Sequence, residues 1–475
     1  MLRPALLAPF AAGAVFAFAM PAPAAPRHWS LVETARDTGH LLAPLPAPAA
    51  APGAPDAAAL VCDPAQRFQE IVGFGGALTE SAAWALGQLP PERRAEVLRR
   101  YFDPVEGLGY TLARTHLNSC DFSLGTWSLD DTPGDFELRD FTLEPMRRWV
   151  LPLLHDARRA AGGDRLRLLA SPWSPPAWMK TNGKMADGGE LRAECRDVWA
   201  RFFVRFLDAL RREENLPVWA VTLQNEPQAK QVWESCLYTP EAERDFVRDH
   251  LGPALARSPF KDVKLLIHDH NRDILEAHAR ATFGDPAAAQ YVWGAALHWY
   301  VSEDFAASSR VHQAFPDKAL LFTEGCWEGG VKLGQWDRGE RYARNIIGDL
   351  SNWVCGWIDW NIALDLTGGP NHVGNLCDAP VLVDPATGAV HYQTSFHYIG
   401  HFSRFVPPGS RRIASSGGPA ALQSIAFLNP DGALVVVVLN TTDAAVEFPL
   451  AAGGETLACR IPGHAIQTYV GAERP

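Results

Sequence analysis

The chain has 475 residues, of which 47% are hydrophobic and 20% charged, an ordinary globular balance long enough for a large core and two domains. Its formal charge of -11 argues against a sequence-independent hold on nucleic acid or anionic lipid. The eight cysteines are scattered, with no CxxC or zinc-type spacing, and are expected to be mostly buried free thiols.

In chain order, residues 1–25 read as a cleaved secretory signal. Arg3 precedes an apolar run from Ala5 to Met20, and Ala22-Pro23-Ala24 offers small residues for cleavage, so a secreted or periplasmic protein is expected. Residues 26–67 carry short strand-like pieces around an Ala/Pro-rich stretch, 43–59, that reads as a linker. From Gln69 a regular rhythm begins. Strand-like runs recur at 71–76, 109–117, 166–171, 218–223, 263–268, 294–299, 319–323 and 355–359. Between them, 91–102, 144–161, 197–213, 240–255, 274–283 and 338–352 repeat apolar residues every three to four positions and predict helices. Eight strands alternating with helices over about 68–380 predict a (β/α)8 TIM barrel. A doubly wound open sheet is the competing fold, but Leu78 stands where the third glycine of a dinucleotide fingerprint belongs. Residues 381–475 predict one more helix, 392–405, and then strands at 422–428, 433–440, 456–461 and 466–470. With both chain ends rich in β-structure, the amino-terminal strands are expected to join this all-β sandwich.

The chemistry concentrates where strands stop. The run VWAVTLQNEPQ (218–228) opens as a buried strand and breaks at Pro227, which lacks the amide a central strand needs. Glu226 is thereby held at the mouth of the sheet, beside the neutral amide of Asn225. KALLFTEGC (318–326) does the same with Glu324. Each glutamate taken singly could merely cap a helix. Yet the carboxyl ends of barrel strands are where active sites form, and those ends also carry Arg114, Asp121, Trp173, His298, Tyr300, Asp359, Trp360 and Asn361. A rival reading starts from His268-Asp269-His270, whose histidines would face one way on a strand and could share a metal. A sugar-binding barrel without catalysis is the other rival.

The motifs GFGGALTESAA (73–83), YTLARTHLNSCDFS (110–123), LLASPWSPPAWMKTNG (168–183), TLQNEP (222–227), ALHWY (296–300), FTEGC (322–326), LGQWDRG (333–339), GWIDWNIAL (356–364) and GGPNHVGN (368–375) are specific. Together with PDGALVVVVLN (430–440), they make the chain resemble glycoside hydrolase family 30, in its glucosylceramidase branch, from about Trp29 to the end. The resemblance implies retaining hydrolysis of a β-linked sugar with no metal or cofactor, Glu226 as acid/base and Glu324 as nucleophile. Arg114 and the Tyr300 hydroxyl are then expected beside Glu324, keeping it ionised, while apolar surroundings and nearby negative charge raise the Glu226 pKa. Asn225 is placed for the sugar 2-hydroxyl. Asp121, Trp173, Trp360 and Asn375 are expected on the other hydroxyls, although Asp121 could instead pair with Arg114 and the tryptophans could be core. His298 is expected as a direct contact or a support, and Phe74 and Trp327 at the leaving-group side. The expected partner is a small glycoside or glycolipid, with transient lipid-surface contact, no nucleic acid and no obligate protein. A shorter segment at 325–330 and His372 in place of tryptophan leave the leaving group open among ceramide, steryl and oligosaccharide, and β-xyloside beside β-glucoside.

Overall fold

The computed structural model describes residues 27–51 and 59–473; the secretory-signal reading falls on residues outside them. The eight expected strands close into a parallel barrel: β1 (Gly73–Ala77), β2 (Leu112–Leu117), β3 (Arg167–Pro172), β4 (Val218–Thr222), β5 (Lys264–Asn271), β6 (Gly294–His298), β7 (Ala319–Glu324) and β8 (Val354–Asn361). β8 pairs with β1 to complete the ring. Burial on both faces of a parallel barrel explains why these runs are nearly continuous in apolar residues rather than alternating. Leu112, Leu169, Ala220, Leu266, Ala296, Leu321 and Ile358 fill the interior as one packed cluster, so the barrel is a core and not a channel. Close packing fixes small residues: a Cβ on Gly75 would stand 1.8 Å from the Leu112 carbonyl oxygen.

The helical face-patterning is realised on the outside. Arg196–Glu213, for example, buries Val198, Phe202, Phe206 and Leu210, spaced four residues apart, against the barrel. The predicted helix 240–255 carries a π-helical turn, Val247–Leu251, and 144–161 breaks into Glu144–Arg147 and Val150–Ala160. Helices at Glu80–Gly87 and Ala306–Ala314 lack a sequence signal of comparable strength.

The remaining strands form a ten-stranded sheet in which both chain ends meet. Arg27–Ala35 pairs antiparallel with Ala465–Glu473, and Leu60–Glu70 pairs with Arg411–Gly417. Its own core contains Trp29, Leu31, Val436, Val438, Phe448, Leu450 and Tyr469. The stretch expected as a linker is only partly one, because His40–Leu45 and Ala49–Ala50 are strands at the two sheet edges. All eight cysteines are buried and free, as composition suggested. No described helix is long and apolar enough to cross a membrane.

Candidate active site

A cavity of about 380 Å3 opens at the carboxyl ends of the barrel strands. Asp121, Trp173, Asn225, Glu226, Tyr300, Glu324, Trp360 and Asn375 from the expected set all line it. Arg114 and His298 do not; both are fully buried behind the wall and act through their neighbours. Of the two readings of His298, as a direct contact or a support, this placement fits the support.

Arg114, inside β2 rather than at its carboxyl end, organises the floor. Its guanidinium donates to Glu324 Oε2, to Asn225 Oδ1 at 2.8 Å, to Asp269 Oδ2 at 2.8 Å and, through Nε, to Ser171 Oγ at 3.0 Å. Burial opposes its charge, but the Asp269 and Glu324 carboxylates outweigh that and raise its pKa further. The alternative pairing of Asp121 with Arg114 does not occur. The second oxygen of Glu324 accepts from the Tyr300 hydroxyl at 2.9 Å, so the carboxylate is held by two donors in a fixed orientation.

Glu226 is presented differently. Its backbone is left-handed (φ 48°), and its amide donates to the Asp269 carbonyl at 2.9 Å, which turns the side chain out of the strand register. Its Oε1 lies 3.3 Å from His298 Nδ1 and 3.5 Å from His270 Nδ1. Burial pushes its pKa up, but the two histidines outweigh burial and bring it below the ordinary carboxylate range. The expectation of a raised Glu226 pKa is thus overturned: two imidazoles, unseen in the sequence as its neighbours, stand where apolar surroundings were expected. Burial acts against charge on His298 too, yet Glu324, Asp269 and Glu226 push its pKa up to about 9.

Asp269 ties these parts together. It accepts from Arg114, from His298 Nε2 at 3.0 Å, from Thr222 Oγ1 at 2.6 Å and from Thr323 Oγ1 at 2.6 Å. It reaches the interior because β5 carries a bulge. The ladder to β6 steps from Ala296–His268 to Leu297–His270, skipping Asp269, and both His268 (φ 73°) and Asp269 (φ 48°) are left-handed. This bulge also corrects the shared-metal reading of His268 and His270. His268 turns its Nε2 to the Asn271 carbonyl at 3.0 Å and packs on His278, while His270 faces the cavity. Among the described residues, the group whose ligand atoms lie within 4.8 Å of one another, as a cation would require, is Glu226, His270 and His298.

On the opposite wall, Trp173 and Trp360 stack at 5.2 Å and 24° and offer flat faces, with the Arg114 guanidinium over Trp173 at 4.8 Å. Asn375 and Asn371 donate to Asp121 Oδ2 at 3.1 and 3.4 Å. Burial, then the charge of Glu324, raise the Asp121 pKa to about 8, with Glu234 and Glu226 adding to them and the Asn375 bond opposing. The native state therefore keeps a proton that the unfolded chain releases near pH 4, so this group's contribution to stability falls as pH rises from about 4 to about 8. Asp121→Asn removes the dependence. Melting temperatures of variant and wild type should diverge in the variant's favour between pH 5 and 8.

Four expectations fail at the rim. Phe74 is buried against Phe402, and Trp327 packs under Arg338 and Arg341, so neither borders the cavity. Asp359 accepts from the Tyr342 hydroxyl at 2.8 Å beneath the floor, and Asn361 is bonded to Thr79. Conversely, Trp233, Cys326, Glu328 and Cys377 line the cavity without having been singled out, and His270, noticed only as a metal ligand, lines it beside Glu226.

Comparisons with known proteins agree with this geometry. The glycosyl hydrolase family 30 TIM-barrel domain matches residues 71–406, and the family's beta sandwich domain matches 409–469. The lysosomal acid glucosylceramidase of Mus musculus is 41% identical over 86% of this chain and 83% of its own. The endo-1,6-beta-D-glucanase of Neurospora crassa is 30% identical over 79% of this chain and 80% of its own. The crystal structure of SrfJ from Salmonella typhimurium superposes with a TM-score of 0.90 at 34% identity, covering 94% of this chain and all (100%) of that one. The chain belongs to glycosyl hydrolase family 30 and is a retaining glycoside hydrolase.

Proposed function

We propose that the protein hydrolyses the terminal β-glucosyl linkage of glucosylceramide, or of a related β-glucoside, by double displacement. The observation that carries this reading is the contrast between two carboxyls in one cavity. Glu324 is held by cationic Arg114 on one oxygen and the Tyr300 hydroxyl on the other, in the wall of the cavity. Glu226 is backed by two imidazoles that can exchange a proton with it.

In this mechanism Glu324 attacks the anomeric carbon as Glu226 gives a proton to the departing oxygen. Water, deprotonated by Glu226, then releases the sugar from Glu324. Asn225, oriented by Arg114, meets the 2-hydroxyl, where a hydrogen bond strengthens in the transition state. Trp173, Trp360, Asp121 and Asn375 hold the rest of the ring. Ceramide is favoured as leaving group by the 41% identity to the mouse glucosylceramidase. Exposed Val232, Val301, Leu333 and Leu376 also stand on loops after β4, β6, β7 and β8, at the cavity's end of the barrel, where a lipid surface would meet them. Export is part of the proposal, resting on the apolar run from Ala5 to Met20. A β-1,6-glucan is the second reading, favoured by the Neurospora relative.

Initial rates on fluorescent glucosylceramide, aryl β-glucoside, aryl β-xyloside and a β-1,6-glucan test this choice. Glucosylceramide should be cleaved with the highest kcat/KM, and a higher value on the glucan or xyloside would overturn it. Glu226→Gln should lower kcat about 10²–10⁴-fold on substrates with poor leaving groups, and far less on a dinitrophenyl glucoside that leaves without a proton.

A further inference from the structure

We propose that Glu226, His270 and His298 form a binding site for a zinc-class divalent cation, and that the bound ion blocks the active site. The ion would take Glu226 Oε1 and one nitrogen from each histidine.

The distances fit a metal better than they fit hydrogen bonds. His298 Nδ1 and His270 Nδ1 stand 3.3 and 3.5 Å from Glu226 Oε1. An N–H to oxygen bond settles at about 2.7–3.2 Å. A tetrahedral zinc with ligands at about 2.0–2.1 Å has edges of roughly 3.3 Å, which matches both separations. All three ligand atoms lie within 4.8 Å of one another, and the ring of His270, which faces the cavity, is the one that turns to close the third edge.

The surroundings support the same reading. Asp269 accepts from His298 Nε2 at 3.0 Å, leaving Nδ1 aimed at Glu226; carboxylates orient metal-binding imidazoles in this way. Asp269 is itself fixed by Arg114, Thr222 and Thr323, so the imidazole has little freedom to turn away. Glu226 and His270 line the cavity, which leaves a fourth position for water. Two imidazoles with one carboxylate select zinc-like ions over calcium or magnesium, which prefer oxygen ligands.

That the ion inhibits rests on the acid/base role proposed for Glu226; that it binds does not. Accordingly, the test uses two readouts on the full chain. In the first, Zn2+ is titrated against aryl β-glucoside hydrolysis. Zinc should raise KM, a chelator should reverse the effect, and His270→Ala and His270→Asn should each raise the half-inhibiting concentration about 10–100-fold relative to that variant's own rate. In the second, Co2+ is titrated and the visible absorption of the tetrahedral ion followed, which needs no turnover. The band should appear in wild type and in Cys326→Ser, and vanish in both His270 variants while their melting curves stay cooperative. Inhibition unchanged in the His270 variants, or a cobalt band lost in Cys326→Ser and kept in His270→Ala, overturns the proposal. Absence of turnover on every glycoside with the cobalt band intact overturns the function proposed above and leaves the metal site standing.

Discussion

Glu324→Ala should lower kcat on an aryl β-glucoside by about 10³-fold or more, and azide should restore part of the rate while yielding an α-glucosyl azide. The magnitude follows from the site's construction. Arg114 and Tyr300 present one carboxylate in the wall of the cavity; a guanidinium cannot attack carbon in its place, and burial keeps the Tyr300 hydroxyl protonated and a weak nucleophile. Removing the carboxylate leaves Arg114 facing a void that a small anion can enter. Azide from that side inverts the anomeric centre once, hence the α product, which proton NMR identifies. A β-glucosyl azide would mean that Glu324 is not the attacking group.

The second large effect is on Arg114. Arg114→Met should lower stability by about 3–5 kcal/mol, read as a lower denaturant midpoint, and should abolish most activity. The guanidinium is fully buried and serves Glu324, Asp269, Asn225 and Ser171 at once. Methionine fills a similar volume but leaves two carboxylates buried without their cation. Arg114→Lys keeps a charge yet cannot make the forked set of bonds, so it should recover part of the stability and little of the rate. A midpoint unchanged in Arg114→Met would show that the floor is not held by this residue.

The barrel was legible because each strand announces itself as a short apolar run, and the polar residues that follow each run mark one end of it. Glu226 and Glu324 could be found by that rule alone. The rule failed at β5. There His268-Asp269-His270 was noticed, but strict alternation put the two histidines on one face. The bulge at Asp269 breaks the alternation, sends Asp269 to Arg114 and sends only His270 to the cavity. No residue in that stretch is a glycine that would have warned of left-handed backbone. The pKa expectation for Glu226 failed for the same reason, since His270 was not known to face it.

In the sheet domain, Val446–Ala452 escaped notice because Pro449 interrupts it. The structure accommodates that proline because only Leu450–Ala452 pair on their second side, with Leu60–Cys62. Arg411–Gly417 escaped because its residues are charged and small and only Ile413 is buried, although it lies mid-sheet between Leu60–Glu70 and Leu422–Leu428. Residues such as Cys377 and Trp233 reach the cavity on long loops, where sequence periodicity carries no information about direction.

The most direct test of the central claim is to trap the intermediate. The full chain is incubated with 2-deoxy-2-fluoro-β-glucosyl fluoride, digested, and the labelled peptide sequenced by tandem mass spectrometry. The fluorine slows release of the sugar from the enzyme, so the covalent species accumulates. The sugar should be found on Glu324 in one-to-one stoichiometry, with activity lost in step with labelling and recovered as the adduct turns over. A label on Glu226 or on any other residue would contradict the assignment of the two carboxyls.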